Sequence, residues 1–252
     1  MPRQLNLRVR EGSDGELMDD TSHSGRAVQI FSFDEGRSSS PIAEKLWRTR
    51  SEPVDFFTSV AQTHWEMIMT RVKGRTSLTV RGPETRAKTV PIPEDAEFLG
   101  IEFRLGTFMP DLPVDRLVDS SLTLPGARTR GFWLNGSVWE FPTFDNVDVF
   151  VRRLMREGRV VREAAVDAAL QGQHSAMSLR SVQRRIRRTT GLTFGLIKQI
   201  ERAQHALTLL EGGASVLDVV ERAGYADQPH LTRSMRRFIG HTPARILRDH
   251  SE

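Results

Sequence analysis

Long polar side chains recur at helical spacing late in the chain, and four of them are Arg180, Gln183, Arg184 and Arg187. Residues spaced i, i+3, i+4 and i+7 share one face of an α-helix. No aspartate or glutamate lies between Ser178 and Gly191 to neutralise this face. An arginine guanidinium forms two-point contacts with phosphate oxygens and with the edge of guanine. The spacing therefore predicts a helix that presents a basic face to a polyanion.

A second basic face follows near the end of the chain. His230, Arg233 and Arg237 are spaced to share one helix face, and Arg236 lies beside them. Asp227 precedes this segment and has the side chain that caps a helix N-terminus. The chain therefore carries two basic helices of similar design.

The positive charge is concentrated in this part of the chain. The protein has 252 residues with 36 lysines and arginines against 32 aspartates and glutamates. Residues 1–149 hold 18 basic and 22 acidic residues, whereas residues 150–252 hold 18 basic and 10 acidic residues. Because only four of the basic residues are lysines, the positive surface consists mainly of arginine. This composition favours binding to nucleic acid.

Residues for other chemistry are scarce. With 0 cysteines the chain has no disulfide, no thiolate nucleophile and no cysteine-ligated zinc. His64 is the only histidine before residue 150 apart from His23, so no cluster of histidines can bind a metal there. The run Glu94, Asp95 and Glu97 is typical of a solvated turn. We predict no catalytic residue, no cofactor and no metal site, and hence a protein that is not an enzyme.

No membrane or export signal is apparent in the sequence. The first fifteen residues lack an apolar stretch, and no apolar run reaches the length that spans a bilayer. We therefore expect a cytoplasmic protein without a membrane partner.

The middle of the chain has the alternating pattern of β-strands. Apolar residues occupy every second position from Leu99 to Leu105, which is typical of strands with one buried face. Lys73 to Arg75 forms a turn signal between two further alternating runs and predicts a hairpin. The predicted fold class is α+β, with a β-rich sensory or dimerisation domain in a small sandwich or barrel, followed by an all-α domain.

The predicted division of the chain has four parts. They are a largely mobile segment 1–52, a β-rich regulatory domain 53–143, an amphipathic connector helix 144–159 and a helical domain 160–252. The first part is rich in glycine, serine and charged residues, which bury little apolar surface. The apolar stripe of the connector runs from Val147 to Met155. The sequence leaves open whether this stripe packs on the β-rich domain or on a second subunit.

The sequence does not decide whether the β-rich part contains an effector pocket. The apolar side chains that could line it are Trp65, Met67, Met69, Phe103 and Phe108. Each of these residue types more often fills an ordinary core. Their positions therefore name no ligand.

The helical part contains a repeated pattern of a short helix, a turn and a basic helix. The two copies flank one long apolar helix from Thr193 to Glu211. A helix of this length measures about 28 Å at 1.5 Å per residue, and adjacent major grooves on one face of DNA lie roughly 34 Å apart. The spacing is compatible with one basic helix in each of two consecutive grooves.

Two segments resemble the AraC/XylS family of bacterial transcription regulators. GYADQPHLTRSMRRFIGHTP, Gly224 to Pro243, is similar to the signature of the family, and Ser178 to Leu210 is similar to its first motif and linker helix. The resemblance implies a DNA-binding domain of two helix-turn-helix units. By position it implies that the base-reading residues are Arg180, Gln183, Arg184, Gln228, His230 and Arg233. The residues that we expect to contact phosphates are Arg187, Arg188, Thr232, Arg236 and Arg237.

The sequence thus predicts a sequence-specific transcription regulator that binds double-stranded DNA. A non-specific architectural DNA-binding protein is the first alternative, and an enzyme domain fused to a DNA-binding domain is the second. A small-molecule effector, contact with RNA polymerase and a homodimer are further partners left open by the resemblance.

Overall fold

The computed structural model of the protein describes residues 34–36, 40–51, 56–127, 130–170 and 178–251. Most of the segment 1–52, which we expected to be mobile, lies outside these residues. Within them, the N-terminal part is β-rich and the C-terminal part is helical. The predicted α+β fold class is therefore confirmed.

The strands of the β-rich part form antiparallel pairs. They are β1 (Asp34–Gly36), β2 (Ala43–Arg50), β3 (Phe56–Ser59), β4 (Glu66–Val72), β5 (Arg75–Arg81), β6 (Lys88–Pro91), β7 (Glu97–Phe103), β8 (Thr107–Phe108), β9 (Ser121–Thr123), β10 (Gly126–Ala127), β11 (Gly131–Leu134), β12 (Ser137–Glu140) and β13 (Val161–Arg162). A short 3₁₀ helix, Val114–Leu117, lies between β8 and β9. The helices are α1 (Val147–Arg156), α2 (Ala164–Leu170), α3 (Leu179–Thr190), α4 (Phe194–Glu211), α5 (Val216–Arg222), α6 (Gln228–Phe238) and α7 (Pro243–Ser251).

The main sheet has six strands in the order β1-β2-β7-β4-β5-β9. The predicted hairpin is its β4–β5 pair, which turns at Lys73 and Gly74, both with positive φ. The predicted alternating strand is β7, at the centre of the sheet. Gly100 lies opposite Trp47 in β2, and a Cβ at this glycine would overlap the indole ring. The close approach of ring and backbone therefore requires glycine.

One core joins the main sheet, the three-stranded sheet β10-β11-β12 and α1. Trp139 in β12 contacts Phe150 in α1 edge to face, with ring centroids 5.9 Å apart. The stripe of α1 is buried here through Val147, Phe150, Val151 and Leu154. The connector therefore packs on the β-rich part of its own chain.

The side chains that could have lined an effector pocket belong to the same core. Trp65, Met67 and Phe103 are buried in it, and Met69 and Phe108 pack against it half-buried. The Trp65 and Phe103 rings stack at 4.0 Å. These residues have the ordinary packing role.

The structure corrects the start of the β-rich part. The expected boundary at residue 53 is too late, because β2 pairs with β7 along the middle of the main sheet. Leu46 and Trp47 in β2 are buried. The glycine and serine content of the whole N-terminal segment conceals this apolar stretch. The composition of residues 1–52 as a whole therefore does not reveal that β2 belongs to the main sheet.

Four helices of the helical part begin with a side-chain cap, as the sequence predicts for α6. The side chains of Ser178, Thr193, Ser215 and Asp227 each accept a hydrogen bond from a backbone N–H in the first turn of the helix that follows. The oxygen–nitrogen distances run from 2.6 Å for Asp227 to 3.3 Å for Ser178. Such caps satisfy backbone donors that have no partner within the helix.

The core of the helical part surrounds α4. Ile197, Ile200, Ala203 and Leu207 are buried along this helix, and α3, α5, α6 and α7 all contact it. In the first turn Ile197 takes the interior position, whereas Leu196 is half-buried. Both basic helices, α3 and α6, thus pack on the same helix, α4.

Several contacts join the β-rich part to the helical part, and two of them lie at the C-terminal ends of the basic helices. The first is the 3₁₀ helix, which packs on the C-terminal end of α3. The second is Ala61, whose N–H donates to the carbonyl of Phe238 at 2.7 Å and whose carbonyl accepts from Gln204 Nε2 at 2.9 Å. The β-rich part therefore contacts both α3 and α6 at their C-terminal ends.

Among the described residues, no helix combines the length and the apolar character needed to cross a membrane.

Candidate nucleic-acid interface

The basic face of α3 is exposed along its length. The exposed members are Arg180, Gln183, Arg184, Arg187 and Arg188. Arg180, Gln183, Arg184 and Arg187 line an open groove together with the first residues of α4, Thr193 to Gly195. Within the described part of the chain, Arg180, Arg184 and Arg187 form no ion pair with a carboxylate. Their positive charge is therefore available to an anionic ligand.

The opposite side of α3 is held in place. Ile186 is buried, and the hydroxyls of Thr189 and Thr190 donate to backbone carbonyls of the preceding turn. Arg185 points away from the groove and pairs with Glu163. Helical spacing already placed Arg185 off the predicted basic face, and this pairing separates it from the other arginines of the helix.

The second basic helix, α6, has the same division into a buried and an exposed side. Its buried residues are Leu231, Met235 and Phe238. Its exposed residues include Gln228, Arg233, Arg236 and Arg237, whereas His230 and Thr232 are half-buried. Most of the predicted contact residues are thus on the surface.

His230 has a structural contact as well as an outward position. Its ring meets Tyr225 edge to face at 5.1 Å. The Tyr225 hydroxyl lies 2.9 Å from the Ser234 hydroxyl. The tyrosine therefore fixes the turn before α6 to the helix itself.

Arg202 of α4 braces the same turn and was missed by the sequence reasoning. Its Nη1 donates to the carbonyl of Gly224 at 3.3 Å, and its guanidinium lies 4.7 Å from the centre of the Tyr225 ring. A single arginine on a long helix carries no sequence signal for this role. It reaches the turn only because α4 passes beneath α5 and α6.

His241 lies in the turn between α6 and α7, where no functional role was predicted for it. It is 5% exposed, and neither ring nitrogen has a hydrogen-bond partner among the described residues. Burial, and to a lesser degree the charge of Arg245, lowers the pKa of His241 to about 4, while Asp249 opposes the shift. The neutral ring therefore belongs to the folded state.

A family model described as a helix-turn-helix domain matches residues 172–249. This part of the chain is a helix-turn-helix domain. The match confirms the resemblance to AraC/XylS regulators over these residues and supports a DNA-binding transcription regulator of that type. No curated protein and no solved structure gives a significant match.

The helix-turn-helix domain contains all eleven predicted DNA-contacting residues. Five lie on α3 and six on α6, so the structure gathers them on two helices that pack on α4. Arg202 and Tyr225 were not predicted, and both position α6 rather than extend its exposed face.

Proposed function

We propose that the protein is a sequence-specific regulator that inserts α3 and α6 into two consecutive major grooves of DNA. The observation that carries this proposal is that both basic helices pack on the single helix α4 and keep their charged side exposed. The 18 residues of α4 measure about 27 Å at 1.5 Å per residue. Adding the width of the flanking helices brings this separation close to the roughly 34 Å between grooves.

The residues at the exposed starts of both helices would read bases. Arg180 and Arg184 suit the O6 and N7 acceptors of guanine, and Gln183 and Gln228 suit the N6 and N7 edge of adenine. Arg233 would contact a base in the second groove. His230 would buttress this contact, because its ring already packs on Tyr225.

The remaining polar residues would position the duplex. Arg187 and Arg188 follow the base-reading residues on α3, and Arg236 and Arg237 do so on α6. Their guanidinium groups are suited to phosphate oxygens, which carry no sequence information. Thr232 would donate its hydroxyl to the same backbone.

The β-rich part would regulate the DNA-binding part. The proposed division places the regulatory domain before residue 144, the connector at 144–159 and DNA binding at 160–252. Contacts of the β-rich part with α3 and α6 support a route by which a small-molecule effector could alter DNA binding. A homodimer and a contact with RNA polymerase are further proposals for the protein.

Sequencing of captured DNA tests the proposed function. Full-length protein is incubated with fragmented genomic DNA at physiological salt, and the bound fragments are recovered and sequenced. One enriched motif with two half-elements about one helical turn apart is the expected result. Recovery without any motif, with affinities that differ less than about tenfold between sequences, would favour the architectural alternative instead.

A further inference from the structure

A second polar groove runs along α4, apart from the groove of α3. Its lining includes Gly195, Lys198, Gln199, His205 and Arg222, and we call it the linker groove. Gly195, Lys198 and Gln199 lie within about one turn of α4, and His205 follows two turns later on the same side. Arg222 comes from the end of α5. None of these residues belongs to the predicted DNA contacts.

The linker groove connects the two helix-turn-helix units. At one end Gly195 also lines the groove of α3. At the other end Arg222 and Ala223 line it, directly before the turn that Arg202 and Tyr225 hold against α6. The linker groove therefore extends from one recognition helix toward the other.

The charge of the linker groove suits an anion. Lys198, His205 and Arg222 are exposed. Glu201 is the one carboxylate in its lining, and its Oε2 accepts from Lys198 Nζ at 2.8 Å. Arg202 adds a further positive charge beside it. Three permanent positive charges against one negative charge leave the groove basic.

The shape of the linker groove allows close approach. A Cβ built on Gly195 would meet no atom within 4 Å. A phosphate group can therefore come close to the backbone of α4 at this point. The long side chains of Lys198 and Arg222 reach the same space from two helices.

We propose that the linker groove binds the phosphates of the DNA backbone between the two major grooves. This inference rests on the proposed function, because only a duplex that contacts both α3 and α6 must cross α4. Such a duplex carries one negative charge per roughly 1.7 Å of its axis, so several phosphates pass over the groove. Lys198 and Arg222 contact them directly, and His205 donates from its ring N–H.

The first test compares the double variant Lys198→Ala, Arg222→Ala with wild-type protein. We expect affinity for the enriched motif and for a scrambled duplex to fall by the same factor, roughly tenfold or more at physiological salt. The slope of log affinity against log salt should become shallower by about one unit for each phosphate that the variant no longer neutralises. The matched control is Arg152→Ala, because Arg152 is equally exposed but lies on α1, in the β-rich part.

The second test removes the charge from the DNA. Duplexes carrying the enriched motif are synthesised with uncharged methylphosphonate linkages either between the two half-elements or outside them. Wild-type protein should lose affinity for the duplex that is neutral between the half-elements. The double variant should bind this duplex and the unmodified duplex nearly alike, because its partner side chains are already absent.

The outcomes separate this inference from the proposed function. If the salt slope of the double variant is unchanged and its preference for the motif is intact, the linker groove does not bind phosphates. The proposed function would then still stand. A wild-type protein that shows no preference between motif and scrambled duplex would overturn the proposed function. In that case a shallower slope in the double variant would still establish the groove as a phosphate site.

Discussion

The two helix-turn-helix units differ in how their recognition helices are held. The helix α6 has a full apolar stripe, Leu231, Met235 and Phe238, and a polar brace from Arg202 and Tyr225. Among its described residues, α3 buries one large apolar side chain, Ile186. It also packs against the 3₁₀ helix of the β-rich part. Within the helical part, the recognition helix of the second unit is therefore held by more apolar and polar contacts than that of the first.

The kind of contact with the β-rich part differs as well. The end of α6 receives backbone hydrogen bonds, from Ala61 N–H to Phe238 and from Ala87 N–H to Arg237. The end of α3 receives side-chain packing instead, with Val118 and Asp115 close to Gly191. The two units therefore meet the β-rich part through different kinds of contact.

The largest effect expected from this comparison is the loss of stability in Phe238→Ala. Phe238 is 2% exposed in the core around α4, so truncation leaves a cavity and should cost about 3 to 5 kcal/mol of unfolding free energy. Ile186→Ala is the matched variant in the first unit, where the loss for the smaller side chain should be about 2 to 5 kcal/mol and lie below that of Phe238→Ala. Denaturant unfolding of both variants measures the difference.

A larger loss in Ile186→Ala than in Phe238→Ala would contradict the view that the second unit has the stronger core. Far-ultraviolet circular dichroism before unfolding checks that each variant has kept its helices.

The second largest effect is a loss of folding stability at low pH, caused by His241 in the turn after α6. Because the pKa of His241 is lowered from 6.5 to about 4, the unfolded chain binds a proton between these values that the folded chain does not. Stability from this group is therefore complete above pH 6.5 and falls by about 1.4 kcal/mol per pH unit as the pH drops toward 4. His241→Leu removes the proton site and should flatten this part of the stability curve.

Unfolding measured from pH 7.5 to pH 4.5 in wild type and in His241→Leu tests the effect. Equal slopes in the two proteins would show that the buried imidazole does not set the acid sensitivity. The other titrating groups are common to both proteins and cancel in the comparison.

Much of this architecture is contained in local sequence signals. The cap at Asp227 and the β4–β5 hairpin depend on neighbouring residues, so short patterns predicted them. The strand β2 was missed because its burial depends on pairing with β7, far along the chain. Periodicity cannot specify a partner at such a distance.

In the candidate interface, too, some residues follow from local sequence patterns and others depend on contacts between distant segments. The exposed arginines of α3 and α6 follow from helical spacing, whereas Arg202 and Tyr225 act across the turn between two helices. The contact of Gly191 with the β-rich part likewise required the three-dimensional arrangement. The sequence thus predicts which faces are basic, and the structure adds what positions them.

Two glycines give a direct measure of how far α3 depends on the β-rich part. Gly191 and Gly224 both have positive φ, at 73° and 68°. Gly191 follows the end of α3, and Gly224 follows the end of α5. A Cβ at Gly191 would lie 2.6 Å from Val118 Cγ2, whereas one at Gly224 would meet nothing within 4 Å. Gly224→Ala should cost about 1 to 2 kcal/mol from backbone strain alone, and Gly191→Ala should cost more because of the added clash.

The double variant Gly191→Ala, Val118→Ala isolates the clash. It removes the side chain that the new Cβ would strike, so part of the extra destabilisation of Gly191→Ala should be recovered relative to Val118→Ala alone. Strictly additive effects in the double variant would mean that α3 does not depend on this contact.

Two variants separate base reading from phosphate contact within α3. Arg184→Ala should weaken binding to the enriched motif by about 1 to 3 kcal/mol and relax the preference at one base pair. Arg188→Ala should weaken binding to every duplex alike and make the salt slope shallower by about one unit. Titration of motif and scrambled duplexes at several salt concentrations distinguishes the two variants. A sequence-dependent loss in Arg188→Ala would move that residue from the phosphate group to the base-reading group, and would place the base contacts of α3 nearer its C-terminal end and the β-rich part.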